Sequence, residues 1–284
     1  MEHNRNNRIR LLALDMDGTL FDDNGRISQA SIDVMNRAKE IGVEVVPASG
    51  RDYDGIPWDQ LEDVDIDYVV TTNGSAVYEA KTKKCLYEEC LDSEKMIPIF
   101  EYLLEKEIYI NVFVDGVSYT PVQVYPYIDN LDVPEYVIQH IKENRKGIDN
   151  LIEYLKNGSA KMQKATLNFQ KQENGELLNR QTVLEYLEKC PDIQVVNGGF
   201  NNLEFTKAGT NKASGLKFLA EHLGMTMSEV MAVGDSENDI EMLREAGLGI
   251  AMGNASDEVK KVANDVTLDN EHEGVATAVE KYLL

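Results

Sequence analysis

The sequence predicts an α/β fold, a Rossmann-like, doubly wound parallel sheet interrupted by an α+β insertion. Three observations carry this. Apolar runs of strand length alternate with helical segments toward both ends of the chain, the pattern changes in the middle, and polar clusters recur where the apolar runs stop. With 284 residues, 43% of them hydrophobic, the chain can bury a sizeable core and suits two domains or one elaborated domain.

Ile9–Leu14 is a continuous apolar run, as expected of a strand covered on both faces. In ISQASIDVMNRAKEIG, Ile27, Ile32, Met35 and Ala38 lie near helical spacing, with Ser28 as N-cap and Gly42 as stop. Val43–Ala48 is a second buried strand ending at SGR, and Asp67–Gly74 a third closing on Asn-Gly. SAVYEA and CLYEECL across KTKK read as a hairpin. From Cys85 to Val196 the pattern becomes mixed: a helix in SEKMIPIFEYLLEKE, the alternating IYINVFVDG, an irregular Tyr- and Pro-bearing stretch, a strand in AKMQKATLNF, a helix in ELLNRQTVLEYLEK and a strand in IQVVNG. After Asn202 the alternation returns through LEFTK, NKASGLKFLAEHLG, EVMAVG, SENDIEMLREAG, LGIAM, SDEVKKVAN and GVATAVEKYLL. The expected boundaries are therefore 1–84 and 197–284 for the α/β core and 85–196 for the insert.

Charge narrows the function. With 28 Lys and Arg against 50 Asp and Glu the net charge is −22, a poor surface for nucleic acid or anionic lipid. A phosphate-bearing ligand has to be held by local donors and a cation, against the global field. Cys85, Cys90 and Cys190 form no C-x-x-C pair and suit a reducing compartment. The polar MEHNRNNRIR start and the lack of a membrane-length apolar run lead us to expect a cytoplasmic protein with no membrane partner. Its oligomeric state is not legible.

The chemistry gathers at strand ends, where open α/β sheets bind ligands. DMDGT follows the first strand, SGR the second, TNG the third and GDSEND the strand Val230–Gly234, while Lys212 opens a helix. Singly, each has a plain reading as a turn, a cap or a solvated charge. Jointly, they answer why Asp15 and Asp17 stand two residues apart despite their repulsion: with Asp235, they would converge on Mg²⁺, a hard cation that takes oxygen ligands. Asp15 is the expected nucleophile, forming an aspartyl-phosphate, and Asp17 the general acid and later base. Ser49, Gly50 and Lys212 would hold the phosphoryl oxygens. Asn238 and Asp239 complete the expected metal set and orient Lys212, with Asn238 also near the phosphate. Asn73 and Asn254 are weaker candidates for the border of the phosphate site. Asp22 and Asp23 read as a solvated turn, and His140, His222 and His272 as surface or packing residues. His3 falls in a frayed terminus. Tyr119, Tyr125, Tyr127 and Tyr136 read as packing, in a segment that could also set specificity.

DMDGTL, SGR, Lys212 and GDSENDIEM followed by AMGNA together resemble the four motifs of the haloacid dehalogenase superfamily, and within it the Cof-type sugar-phosphatase-like branch. The resemblance covers both ends of the chain in order; the insert matches in position and length. It implies a Mg²⁺-dependent phosphatase for small phosphorylated metabolites, often sugar phosphates, with 85–196 as an α/β cap that closes over the active site. Ser49 stands where the family often has Thr, and both supply a hydroxyl. A phosphomutase is the alternative enzyme, and a catalytically silent phosphometabolite-binding protein the alternative outside catalysis.

Overall fold

The computed structural model describes residues 9–133, 135–144, 146–157, 161–198 and 201–284, and of residues 136, 137, 140 and 144 the backbone alone. The expectations for the side chains of His3, Tyr136 and His140 lie outside the described residues. The chain forms two compact units, Met1–Glu88 with Thr210–Leu284, and Glu89–Gly209.

The first unit begins with β1 (Leu11–Leu14), β2 (Glu44–Pro47), β3 (Tyr68–Thr71), β4 (Ala76–Glu79) and β5 (Cys85–Glu88). The second contains β6 (Tyr109–Val114), β7 (Val117–Pro121), β8 (Lys146–Ile148), β9 (Met162–Asn168), β10 (Ile193–Asn197) and β11 (Leu203–Lys207). The first then resumes with β12 (Val230–Gly234), β13 (Leu248–Ala251) and β14 (Asp265–Val266).

The first unit's main sheet is parallel, in the order β14-β13-β12-β1-β2. Its β1 is apolar throughout because both faces are covered: Leu12 and Leu14 enter one hydrophobic cluster, Leu11 and Ala13 the other. The helix Gln29–Glu40 buries Ile32, Met35 and Ala38 and is capped by Ser28, whose hydroxyl accepts from Ser31 N at 3.1 Å. Beyond β2, Ala48 bridges Val70 in parallel, so β3 extends this sheet while also opening the antiparallel β3-β4-β5.

Register aligns the motifs. Leu14 pairs with Val233 on one side and Pro47 on the other. The ladder runs one step further, with Asp15 N donating to Val233 O at 3.0 Å and Ala48 N to Leu14 O at 2.8 Å. DMDGT and GDSEND therefore start in one row, and SGR one residue beyond it.

The second unit is a six-stranded sheet, β10-β11-β9-β6-β7-β8, antiparallel except for β7 with β8. Ala165, Leu167, Leu203 and Phe205 belong to a core shared with the helices Ser93–Leu104 and Arg180–Leu187. The alternate positions Lys164, Thr166 and Glu204 are polar and buried.

Both sequence-derived boundaries shift. Cys85–Glu88 pairs with β4 and stays in the first unit, because the hairpin across KTKK cannot be divided between sheets. LEFTK, expected in the core, is β11 and lies between β10 and β9, extending the second unit to Gly209. The irregular stretch contains β7, a 3₁₀ segment Val122–Asn130 and the helix Glu135–Asn144.

Candidate active site

Asp15 follows β1 directly and is buried. The chain then turns tightly through Met16–Leu20 with Gly18 at φ 80°, and a Cβ on Gly18 would stand 2.5 Å from Asp235 Oδ2. Only glycine allows both that φ and that approach. The turn also aims Thr19, whose hydroxyl donates to Asp235 Oδ1 at 3.1 Å. Ser236 Oγ and Asn254 Nδ2 donate to Asp235 Oδ2 at 3.1 and 3.3 Å, and Asn254 Nδ2 also donates to Gly18 O at 2.8 Å.

Asp239 is fully buried. Its Oδ2 accepts from the backbone N of Asp235 and of Ser236, both at 3.0 Å, closing the loop after β12 on itself. Its Oδ1 accepts from Lys212 Nζ at 2.7 Å, and the same ammonium donates to Asp15 Oδ1 at 2.5 Å. Lys212 is the first residue of the helix Lys212–His222, which Asn211 and Ser214 cap reciprocally, so its backbone is fixed at the point where the side chain enters the site.

Among the described residues, Asp15, Asp235 and Asp239 each offer a carboxylate oxygen within 4.8 Å of the others. Three carboxylates against one ammonium leave two negative charges uncompensated in a buried place. Burial, then the Asp239 charge, push Asp235 up to about 6. The same two causes push Asp15 well above the usual carboxylate range, against the pull of Lys212. For Lys212, burial opposes the charged form, but Asp15 and Asp239 outweigh it and raise the ammonium above its ordinary value. The cluster has oxygen donors only, and a divalent cation of oxygen preference fits both its charge and its chemistry.

Asp17 is placed differently from the sequence expectation. Its side chain is 61% exposed and forms a fork with Arg51, Nη2 to Oδ1 at 2.7 Å and Nε to Oδ2 at 2.9 Å. It stands outside the three-carboxylate group, and the bidentate Arg51 guanidinium engages both of its oxygens. Ser49 is buried and accepts from Arg51 N at 3.1 Å, and Gly50 follows it in the loop beyond β2. Asn238 Nδ2 donates to Asn73 Oδ1 at 3.0 Å. Asp22 accepts from Asn24 N and Arg26 N, making the expected turn. Thr19, Ser236 and Arg51 were not singled out from the sequence. Arg51 stood in a quoted motif but reads alone as a solvated cation, and nothing distinguishes Thr19 or Ser236 from ordinary turn hydroxyls.

The family model for haloacid dehalogenase-like hydrolases matches residues 12–279. A Bacillus subtilis 5-amino-6-(5-phospho-D-ribitylamino)uracil phosphatase, YcsE, is 32% identical, over 97% of this chain and 96% of its own. Phosphatase YwpJ of the same organism is 29% identical, over 97% of this chain and all of its own. A solved haloacid dehalogenase-like hydrolase from B. subtilis superposes with a TM-score of 0.82 at 27% identity, covering 97% of this chain and 100% of that one.

Proposed function

Because the chain belongs to the haloacid dehalogenase-like hydrolase family, as one of its phosphatases, we propose that it hydrolyses small phosphorylated metabolites, sugar phosphates among them, with Mg²⁺ and through a phosphoryl group carried on Asp15. The observation that carries this reading is the buried Lys212 ammonium shared by Asp15 and Asp239, with Asp235 alongside. The phosphoribityl substrate in the name of one relative supports a phosphate on a polyhydroxylated chain as the substrate class. The three free cysteines, and the absence of any helix among the described residues long and apolar enough to cross a membrane, support action in the cytoplasm.

Asp15, Asp235 and Asp239 are the residues that would hold Mg²⁺, which when bound neutralises the phosphate and lets a carboxylate approach phosphorus. Lys212 holds Asp15 Oδ1 and so presents the other oxygen as nucleophile. The Lys212 charge also offsets the anionic oxygens of the transferring group. Ser49 and Gly50 bind those oxygens from the neighbouring strand end. Asp17, two residues beyond the nucleophile, is freed from Arg51 and protonated from solvent before it gives that proton to the departing alcohol; the carboxylate so formed then takes a proton from the water that cleaves the aspartyl-phosphate.

Rapid acid quench during turnover of an aryl phosphate, followed by intact-protein mass spectrometry, should show a phosphoryl adduct on the wild type and none on Asp15→Asn, whose turnover should fall by roughly 10⁴-fold or more. Chelator should abolish phosphate release, and Mg²⁺ should restore it. Isomerised sugar phosphate without inorganic phosphate would favour the mutase; label on Asp15→Asn would remove Asp15 from the mechanism.

A further inference from the structure

The turn after β3 has three successive left-handed residues, Thr72 at φ 49°, Asn73 at φ 55° and Gly74 at φ 86°. Glycine takes this region freely and asparagine tolerates it, but a β-branched threonine there is strained. Such strain persists only where the surroundings over-determine it, and it gathers at functional sites. Here the surroundings are the loops of the candidate site. Thr72 N donates to Arg51 O at 2.8 Å and Asn73 N to Ser49 O at 3.1 Å, so the turn clamps the SGR loop from both ends. Gly74 lies against the residue before Lys212, where a Cβ would come 1.9 Å from Asn211 O. The Asn73 side chain reaches the third loop, accepting from Asn238 Nδ2.

The Asn73–Asn238 contact has a chemical consequence. Asn73 is almost fully buried, and with Asn238 Nδ2 engaged on it, Asn238 Oδ1 is buried with no hydrogen-bond donor among the described residues. A buried carbonyl oxygen in that state is costly unless a ligand supplies a proton. Asn238 lies one residue before Asp239 and three after Asp235, in the loop beside the nucleophile, where a water or a protonated phosphate oxygen could supply it.

We propose that Asn73 is a positioning residue for phosphoryl transfer: its amide fixes the rotamer of Asn238 so that Asn238 Oδ1 is presented to the phosphate and its water, while its backbone holds the Ser49 loop in register with the Lys212 helix. This rests on the phosphatase reading above. It separates two tasks that one residue combines, backbone geometry and side-chain orientation, and the two can be tested apart. Asn73→Gly keeps the left-handed backbone and removes the amide. Asn73→Asp keeps an acceptor for Asn238 Nδ2.

The test is a double-mutant cycle on kcat/KM with an aryl phosphate and Mg²⁺, with thermal melts confirming that each variant is folded. Asn73→Gly and Asn238→Ala should each lower kcat/KM by about tenfold, the scale of one oriented hydrogen bond, and the double variant should be no worse than Asn238→Ala alone. In the Asn73→Asp background, Asn238→Ala should again cost its full factor, because the acceptor is retained; a purely structural role for Asn73 would not distinguish the two backgrounds. Multiplying effects in the Gly double variant, or Asn73→Gly within twofold of wild type, would overturn the proposal. The same cycle read as inorganic-phosphate affinity by titration calorimetry needs no turnover. Coupled phosphate binding in a protein that hydrolyses nothing would overturn the phosphatase reading and keep only the orientation of Asn238 by Asn73 toward phosphate, whereas uncoupled binding in an active phosphatase would overturn this inference and keep that reading.

Discussion

Among the described residues each unit buries one lysine, and the two lysines live in opposite electrostatic settings. In the second unit Lys164, 2% exposed at its side chain, gives its ammonium to the Glu204 carboxylate at 2.7 Å. Thr166 Oγ1 donates to the same oxygen at 3.2 Å, and the Phe113 ring lies 4.7 Å from the lysine nitrogen. As a pair, Lys164 and Glu204 are formally neutral. In the first unit Lys212, wholly buried, is divided between Asp15 and Asp239 with Asp235 beside them. That arrangement is short of two positive charges. A neutral buried pair can satisfy itself and needs no ligand, whereas a buried cluster with unbalanced charge is tolerated only if something else supplies the difference. The contrast separates a lysine built into a sheet from a lysine built into a site.

The strongest way to break this contrast is to remove each lysine. Lys212→Met leaves Asp15 and Asp239 facing each other without their cation, so at neutral pH it should lower unfolding stability by roughly 3–5 kcal/mol and abolish turnover. Lys164→Met should cost stability on the same scale by stranding Glu204, but the folded fraction should still hydrolyse a small aryl phosphate. Replacing the whole pair, Lys164→Met with Glu204→Leu, should recover most of the lost stability, since a buried ion pair exchanged for apolar groups of similar volume is often neutral or better. Denaturant melts and phosphate release on the three variants decide it. Loss of aryl-phosphate turnover in folded Lys164→Met would erase the distinction between the two lysines.

That distinction was half legible in the sequence. Lys212 was marked because it opens a helix after a strand and accompanies acidic strand ends, and in a doubly wound sheet the apolar runs reveal where those ends fall. Parallel register then does the rest, since Leu14 opposite Val233 and Pro47 brings the three motifs to within one residue of a common row. Lys164 carried no signal, because AKMQKATLNF shows only a strand and not which strand lies beside it. The same gap misassigned LEFTK: a five-residue strand reads alike in either sheet, and only its pairing with β9 and β10 shows its unit. The Arg51 fork on Asp17 was hidden for a related reason. Two carboxylates two residues apart look like joint ligands, but the intervening turn separates them, and Arg51, 34 positions along the chain, takes the second.

Asp17 sharpens the comparison from outside the cluster. Its carboxylate is mostly exposed and paired across the surface, so Asp17→Asn should leave the unfolding midpoint close to wild type, unlike either lysine variant. Its cost should fall on chemistry, about 10²–10⁴-fold in turnover of an alkyl phosphate whose leaving oxygen needs a proton. With an aryl phosphate, Asp15 should still be phosphorylated, while hydrolysis of the intermediate lacks its base. Phosphoenzyme should accumulate and show as a burst and as an adduct in the acid-quenched mass spectrum. A large stability loss without accumulation would return Asp17 to the buried set.

The smallest expected effect is a pH signature of the charge imbalance. Asp235 is raised from 3.8 to about 6, chiefly by burial and then by Asp239, and Asp15 shifts in the same direction. Between about pH 4 and 6 the folded protein without metal therefore holds a proton that the unfolded chain has released. Stability rises with pH only where the unfolded state binds more protons, and here it binds fewer, so this contribution is full below about pH 4 and is lost as pH rises through about 6. For Asp235 the loss amounts to roughly 3 kcal/mol at most. Mg²⁺ bound at the cluster would favour the ionised carboxylates and oppose the loss, adding about 2.7 kcal/mol at a hundredfold excess over its dissociation constant. Thermal melts from pH 4.5 to 7.5 in chelator should thus show a decline toward neutral pH that Asp235→Asn flattens, and Mg²⁺ should raise the melting temperature more at pH 7 than at pH 5. The variant lacking Lys164 and Glu204 should keep the wild-type slope, because its missing pair was neutral. Parallel curves for wild type and Asp235→Asn in chelator would show that the cluster is already balanced within the protein, and the contrast between the two buried lysines would fall with it.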